Sequence, residues 1–210
     1  MITFTEHYNS RLDLQKSTRT MIGWAQEICS DPKLILDIGA NVGLFSCLFT
    51  EVFPNAVIHA FEPIPDNFSV LSSNIRNNNL KVTTHQLALW HEETRLELGW
   101  PVQTRNDTQN SGLYSAFYNE TTIPVSAIPL DKIQLEFSPD IVKIDVEGSE
   151  AKVLLGGQKT LSQAQCIIVE KGKSRPPHFP PYEEVINILK SWQFKCVREG
   201  YDEYWKPENV

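Results

Sequence analysis

The sequence predicts a doubly wound, mostly parallel α/β sheet that ends in a C-terminal antiparallel hairpin. Three observations predict it. Short runs of Leu, Ile and Val recur without polar alternation, as in Leu34-Ile35-Leu36 and Cys166-Ile167-Ile168-Val169, which suits strands buried on both faces. Segments with apolar residues at helical spacing separate these runs, as crossovers between parallel strands require. An acid also ends the first, second, fourth and fifth runs, at Asp37, Glu62, Asp145 and Glu170. The chain has 210 residues, enough for one domain with a substantial core, divided into an N-terminal flap and helix (1–32) and the core proper (33–210).

The elements follow in order. Residues 1–17 are polar and unpatterned, and Thr18 to Cys29 carries Met21, Ile22, Trp24, Ala25 and Ile28 as an amphipathic helix before Pro32. After the first strand, Phe45, Leu48, Phe49 and Val52 mark a helix, and Ala56 to Phe61 forms the second strand. The next helix takes Asp66 as its N-cap, turns Phe68, Leu71 and Ile75 to one face, and stops at Asn77-Asn78-Asn79. Lys81 to Leu87 is the third strand, which Ala88-Leu89-Trp90 leaves. From His91 to Leu130 short runs interrupted by Gly, Pro, Asn and Thr predict hairpins and loops. Ile141 to Ile144 is the fourth strand, followed by a helix capped by Ser149, facing inward with Ala151, Leu154 and Leu155, and stopped by Gly156-Gly157. The fifth strand, Cys166 to Val169, leads through a proline-rich loop (175–181) to a helix bearing Val185, Ile186 and Leu189. Phe194 to Arg198 and Glu203 to Lys206 then pair around Gly200 as a hairpin.

Composition excludes several classes of function. A net charge of −7 and a pI near 5.3, with no basic cluster interleaved with aromatics, argue against nucleic acid as a partner. Cys29, Cys47, Cys166 and Cys196 are too scattered for a metal site or a disulfide scaffold and are expected to be reduced core thiols. No run reaches the ~18 apolar residues that span a bilayer, and residues 1–16 lack the pattern of a signal peptide, so a cytoplasmic protein without a membrane partner is expected. Nothing in the sequence sets the oligomeric state.

Ligands of such sheets bind beyond the carboxyl ends of the strands, which directs attention to the terminal acids. The first strand runs into Asp37-Ile38-Gly39-Ala40-Asn41-Val42-Gly43 and then a helix. Glycines let the backbone approach a ligand there, and the helix N-terminus offers unpaired N–H groups, so the segment reads as a nucleoside-cofactor loop. An ordinary strand-to-helix turn would explain this segment alone. It is not the G-x-G-x-x-G of dinucleotide enzymes.

The loop resembles the D/E-x-G-x-G-x-G loop of class I S-adenosylmethionine methyltransferases, with Asn41 where the middle glycine usually stands. Together with Phe61-Glu62-Pro63, Asn110-Ser111-Gly112 and Lys143-Ile144-Asp145-Val146-Glu147-Gly148-Ser149-Glu150, in this order, it is similar to the FkbM family of those enzymes over roughly residues 33–170. The resemblance implies a Rossmann-like methyltransferase fold and S-adenosylmethionine as cofactor. Asp37, Gly39, Ala40, Asn41 and Gly43 would hold its methionine end, Glu62 with Pro63 its ribose, and Ala88 its adenine, with Leu89 or Trp90 as an apolar wall. Trp90 is equally well explained as a core aromatic.

The reaction the family implies is methyl transfer to a hydroxyl of a small molecule or carbohydrate. Asp145 and Glu147 are the candidates for base or acceptor orienter, Glu147 the better placed of the two. The structural alternative is that Glu147 fixes the Gly148 turn and Glu150 starts the helix. His178 is a further titratable residue in the proline-rich loop, and Lys143 is expected to pair with a strand-end acid. Asp145 and Glu170 are hard donors that suit Mg²⁺, but without a third ligand no metal is assigned. A nicotinamide-dependent oxidoreductase would share the sheet and the acid on the second strand but lacks its glycine pattern here. A DNA base methyltransferase would carry an Asp/Asn-Pro-Pro-Tyr segment after strand four. A non-catalytic nucleoside-binding module stays open, because Asn41 would narrow the loop.

Overall fold

Hydrophobic strands placed side by side account for the centre of the molecule. The computed structural model describes residues 2–4, 12–99, 114–118, 122–172 and 177–209; the Asn110-Ser111-Gly112 motif lies outside them, as do Arg175 and Pro176. The chain runs α1 (Leu12–Ile28), β1 (Leu34–Ile38), α2 (Leu44–Val52), β2 (Val57–Phe61), α3 (Pro65–Asn77), β3 (Val82–His85), β4 (Ala88–Leu89), β5 (Thr94–Leu98) and β6 (Ile123–Ile128). It continues through β7 (Ile141–Ile144), α4 (Glu150–Gly156), α5 (Gln158–Leu161), β8 (Cys166–Glu170), α6 (Glu183–Ser191), β9 (Phe194–Arg198) and β10 (Asp202–Pro207).

The main sheet has the order β3-β2-β1-β7-β8-β10-β9, parallel from β3 to β8. Every residue of β1 is buried, and its side chains alternate between two cores. Ile35 packs with Ile22 of α1, Phe49 of α2 and Leu71 of α3, whereas Leu34 and Leu36 pack with Leu154 of α4, Leu189 of α6 and Leu130. The sheet is thus doubly wound, as its apolar runs predict.

The C-terminal hairpin enters the sheet by its second strand. β10 lies antiparallel between β8 and β9, burying Glu203, Tyr204 and Trp205, while β9 alternates buried and exposed residues, a pattern that suits an edge. Other differences from expectation are local. Helix α1 begins at Leu12, earlier than its apolar stripe. In α3, Ile64 takes the N-cap and Pro65 the first turn, so Asp66 lies inside the helix. Leu155 is 48% exposed, and Val153 takes its place in the core.

The segment predicted as hairpins and loops holds a second sheet of order β4-β6-β5, with β5 and β6 antiparallel and Ala88 and Leu89 paired parallel to β6. Its small core of Ile64, Ala88, Trp90, Leu98, Val125 and Ala127 stands beside the carboxyl ends of β1 and β2. Cys29, Cys47 and Cys166 are buried and all four thiols are free. No helix among the described residues is long and apolar enough to cross a membrane.

Candidate active site

The loop after β1 is shaped by backbone conformations that few residues tolerate. Gly39 has φ 79°, and a Cβ there would overlap the Asp145 carbonyl oxygen, so neighbouring β7 leaves no room for a side chain. Asn41 has φ 51°, in the left-handed region that asparagine adopts more readily than most residues, which explains its place in an otherwise glycine-rich loop. The N–H groups of Gly39 and Ala40 both donate to the Phe61 carbonyl, at 3.0 and 2.9 Å, and the buried Asn74 amide donates to Val42 O at 2.8 Å.

Glu62 joins this loop to the next. It is 4% exposed; its Oε2 accepts from Asn41 N–H at 2.8 Å and its Oε1 from Ile64 N–H at 2.9 Å. Burial pushes its pKa up to about 7, against the pull of the Ile64 and Asn41 N–H groups, the Asn67 side chain and Lys143. With Asn41, Ile64 and Asn67 all donating to it, the carboxylate retains about one acceptor site.

A cleft of about 750 Å³ opens between the two sheets. Of the predicted site residues, Gly39, Asn41, Glu62, Pro63, Ala88, Asp145 and Glu147 line it together. Asp37, Ala40 and Gly43 do not: Asp37 is fully buried behind the loop, where Ser46 Oγ donates to it at 2.6 Å, Ala40 packs in the core between α1 and α2, and Gly43 is the N-cap of α2. Trp90 serves both readings, lining the cleft and packing in the small core. Asn67, Leu96, Leu98, Tyr114, Ser115 and Ser149 also line the cleft and were not expected. Asn67, in the first turn of the helix after Glu62-Pro63, had a positional signal, as had Ser149 beside the Glu147-Gly148 turn; Leu96, Leu98, Tyr114 and Ser115 are brought in by the second sheet and its connection, whose folding onto the site has no local pattern.

At the β7 end, Glu147 (φ 50°) and Gly148 (φ 97°) make a tight left-handed turn. The buried Glu150 carboxylate accepts from Gly148 N–H at 2.9 Å, and Ser115 Oγ donates to Glu147 O at 2.6 Å. The Glu150 carboxylate therefore braces the turn. Phe179 covers Gly148 so closely that a Cβ there would strike its ring, and Phe117, Tyr118 and the exposed His178 pack around Phe179 with ring centroids 5.1–5.7 Å away.

Asp145, Glu147 and Glu170 each present a carboxylate oxygen within 4.8 Å of the other two, so Glu147 supplies the third hard donor that the spacing of Asp145 and Glu170 did not disclose. Burial first, then the charges of Asp145 and Glu147, push the Glu170 pKa up to about 10, so the cluster retains a proton near neutrality. Lys143 Nζ lies 3.2 Å from Asp145 Oδ2 and 3.5 Å from Asp37 Oδ1, the pairing its position in a strand demanded. Burial pulls its pKa down, but these two acids more than offset that and hold it above the ordinary range.

A profile of the methyltransferase FkbM domain matches residues 37–196. The chain belongs to the FkbM methyltransferases. Among curated relatives of this FkbM chain, Methyltransferase 1 of Beauveria bassiana is 29% identical over 146 residues, covering 60% of this chain and 59% of that protein. Methyltransferase sdnD of Sordaria araneosa is 31% identical over 206 residues, 83% of this chain and 77% of that one. The hexuronic acid methyltransferase AglP of Haloferax volcanii is 25% identical over 144 residues, 69% of this chain and 58% of its own length. The chain thus spans about three fifths of the Beauveria and Haloferax proteins. In fold, it resembles the magnesium protoporphyrin IX methyltransferase ChlM of Synechocystis, with a TM-score of 0.55 at 12% identity over 97% of this chain and 83% of that one.

As a member of this methyltransferase family, the chain takes S-adenosylmethionine as its cofactor. The cleft fits it chemically: Glu62 offers a carboxylate acceptor for a ribose hydroxyl, and Phe61, Ile64, Leu87, Ala88 and Leu89 form an apolar wall beside it for a flat base.

Proposed function

We propose that this chain methylates a hydroxyl of a small molecule or sugar, with Glu62 on the cofactor ribose and Glu147 or Asp145 serving the acceptor. The observation that carries this reading is that Glu62 and Glu147, from the ends of different strands, face one cleft. S-adenosylmethionine supplies an electrophilic methyl on a sulfonium. This chain's own residues would orient the acceptor hydroxyl toward that methyl and take up its proton on a carboxylate, for which Glu147 is first choice and Asp145 second. Gly39 and Asn41 lie beside the methionine end, with Asp37 and Ser46 bracing the loop from behind. Pro63, Ala88 and Leu89 fit the nucleoside end.

Glu147 suits the acceptor role for two reasons. Its left-handed backbone costs about 1–2 kcal/mol relative to ordinary conformations and aligns the residue at the cleft. Its turn is braced by the Glu150 carboxylate, which fixes the residue's backbone at the cleft. AglP acts on a hexuronic acid by its name, and a carbohydrate acceptor is in keeping with that relationship. The Asp145 and Glu147 carboxylates at the acceptor end favour a neutral hydroxyl over a carboxylate, because a further anion would meet like charge.

The test is sequential. S-adenosylhomocysteine should bind in calorimetry and raise the melting temperature. Transfer of labelled methyl to a panel of hydroxylated and carboxylated small molecules then separates an enzyme from a binding module. Binding without transfer to any acceptor would favour the module, and transfer to carboxylates alone would overturn the hydroxyl assignment.

A further inference from the structure

Methyl transfer requires the cofactor loop and the acceptor-side acid to keep a fixed separation, and these belong to different strands. β1 and β7 are adjacent, with Asp37 opposite Lys143 and Ile38 opposite Ile144. At their carboxyl ends a single ammonium lies between them. Lys143 is 4% exposed, and its Nζ is 3.4 Å from Gly39 O on the cofactor loop, 3.2 Å from Asp145 Oδ2 at the cleft and 3.5 Å from Asp37 Oδ1 beneath the loop. The Phe45 ring stands 4.7 Å from Nζ. An ammonium has three protons and no acceptor, and here three oxygens surround it, two from the end of β1 and its loop and one from the end of β7. Asp37 Oδ1 is buried and accepts no hydrogen bond among the described residues, so the cation also compensates that charge.

We propose that Lys143 is a positioning residue whose ammonium ties the Gly39 carbonyl to the Asp145 carboxylate and so sets the spacing between cofactor and acceptor. This rests on the cofactor placement proposed above. The simpler role, neutralising Asp37 so that the domain folds, predicts something different. Once Asp37 carries no charge, the simpler role leaves Lys143 nothing to do, whereas the tie to Gly39 and Asp145 is still needed.

The experiment compares Asp37→Asn with Asp37→Asn/Lys143→Met, using S-adenosylhomocysteine calorimetry and thermal melting. The inference expects the double variant to melt near the single variant but bind S-adenosylhomocysteine about tenfold more weakly, the scale of one lost charge-assisted contact. In ¹⁵N-labelled protein, the amide resonances of both Gly39 and Asp145 should move beyond their positions in the single variant. Equal affinity in the two variants overturns the inference. If the Met variant unfolds, Asp37→Asn/Lys143→Gln takes its place; failure of both to fold while Asp37→Asn folds assigns Lys143 to folding and also overturns it. Glu62→Ala keeps the two readings apart: unchanged affinity there defeats the cofactor placement, whereas weakened affinity there with equal affinity in the Asp37 pair defeats only the role of Lys143.

Discussion

Removing the Glu62 carboxylate should weaken cofactor binding at least about tenfold. Its oxygens hold the Asn41 and Ile64 N–H groups, at 2.8 and 2.9 Å, and the Asn67 side chain, so of about four acceptor sites one remains for a ribose hydroxyl. A hydrogen bond to a charged partner contributes about 1.5–3 kcal/mol before water refills the truncated site. Relief of the cost of burying the carboxylate offsets part of that, and a residual of only about 1.4 kcal/mol is already tenfold in Kd. Glu62→Ala and Glu62→Gln should both show the loss, because a glutamine amide places NH₂ against the Asn41 or Ile64 N–H. The assay is calorimetry with S-adenosylhomocysteine from pH 5.5 to 8.5.

Because burial raises the Glu62 pKa to about 7, the free protein carries it protonated below that pH, and binding that requires the carboxylate must first release the proton. Wild-type affinity should therefore rise with pH toward about 7 and level off above it, while Glu62→Ala stays flat through the same window. The same shift makes the Glu62 contribution to stability fall as pH rises from the ordinary glutamate range through about 7. A folded Glu62→Ala protein with wild-type Kd, or one that keeps the wild-type pH dependence, would refute the reasoning.

Once an acceptor is found, Glu147→Gln should leave S-adenosylhomocysteine affinity near wild type and lower turnover roughly a hundredfold, as loss of a general base does; wild-type turnover would pass the role to Asp145 or His178. Gly39→Ala should destabilise the fold by more than the ~1 kcal/mol of ordinary glycine effects, since its Cβ would meet the β7 backbone at a left-handed φ, and a urea midpoint equal to wild type would contradict that contact. Glu170, with its pKa raised to about 10, contributes stability that is complete below the ordinary glutamate pKa and lost as pH rises through about 10; Glu170→Gln should flatten that decline in urea midpoints between pH 6 and 9.5, and an unchanged slope would place the proton elsewhere.

The sequence by itself determined the five parallel strands, the alternation of helices between them and the acids at the strand ends, because burial on both faces demands unbroken apolar runs and crossovers demand helical spacing. It also marked the Gly39–Gly43 loop and the Glu147-Gly148 turn, where few residue types tolerate the backbone. Tertiary structure decided what each acid does. Asp37 and Glu62 look alike in sequence, yet Asp37 lies within β1, one residue short of its end, and sits behind the loop on Ser46 and Lys143, while Glu62 lies just past β2 and lines the cleft, because alternation inside a strand fixes which face a side chain takes. The wall made by Leu96, Leu98, Tyr114 and Ser115 was likewise illegible, since it comes from a second sheet whose short strands pair across long stretches of chain. That Glu150 braces the Gly148 turn, and that Lys143 meets oxygens from the ends of two strands at once, are set by distances across the fold that no local pattern encodes.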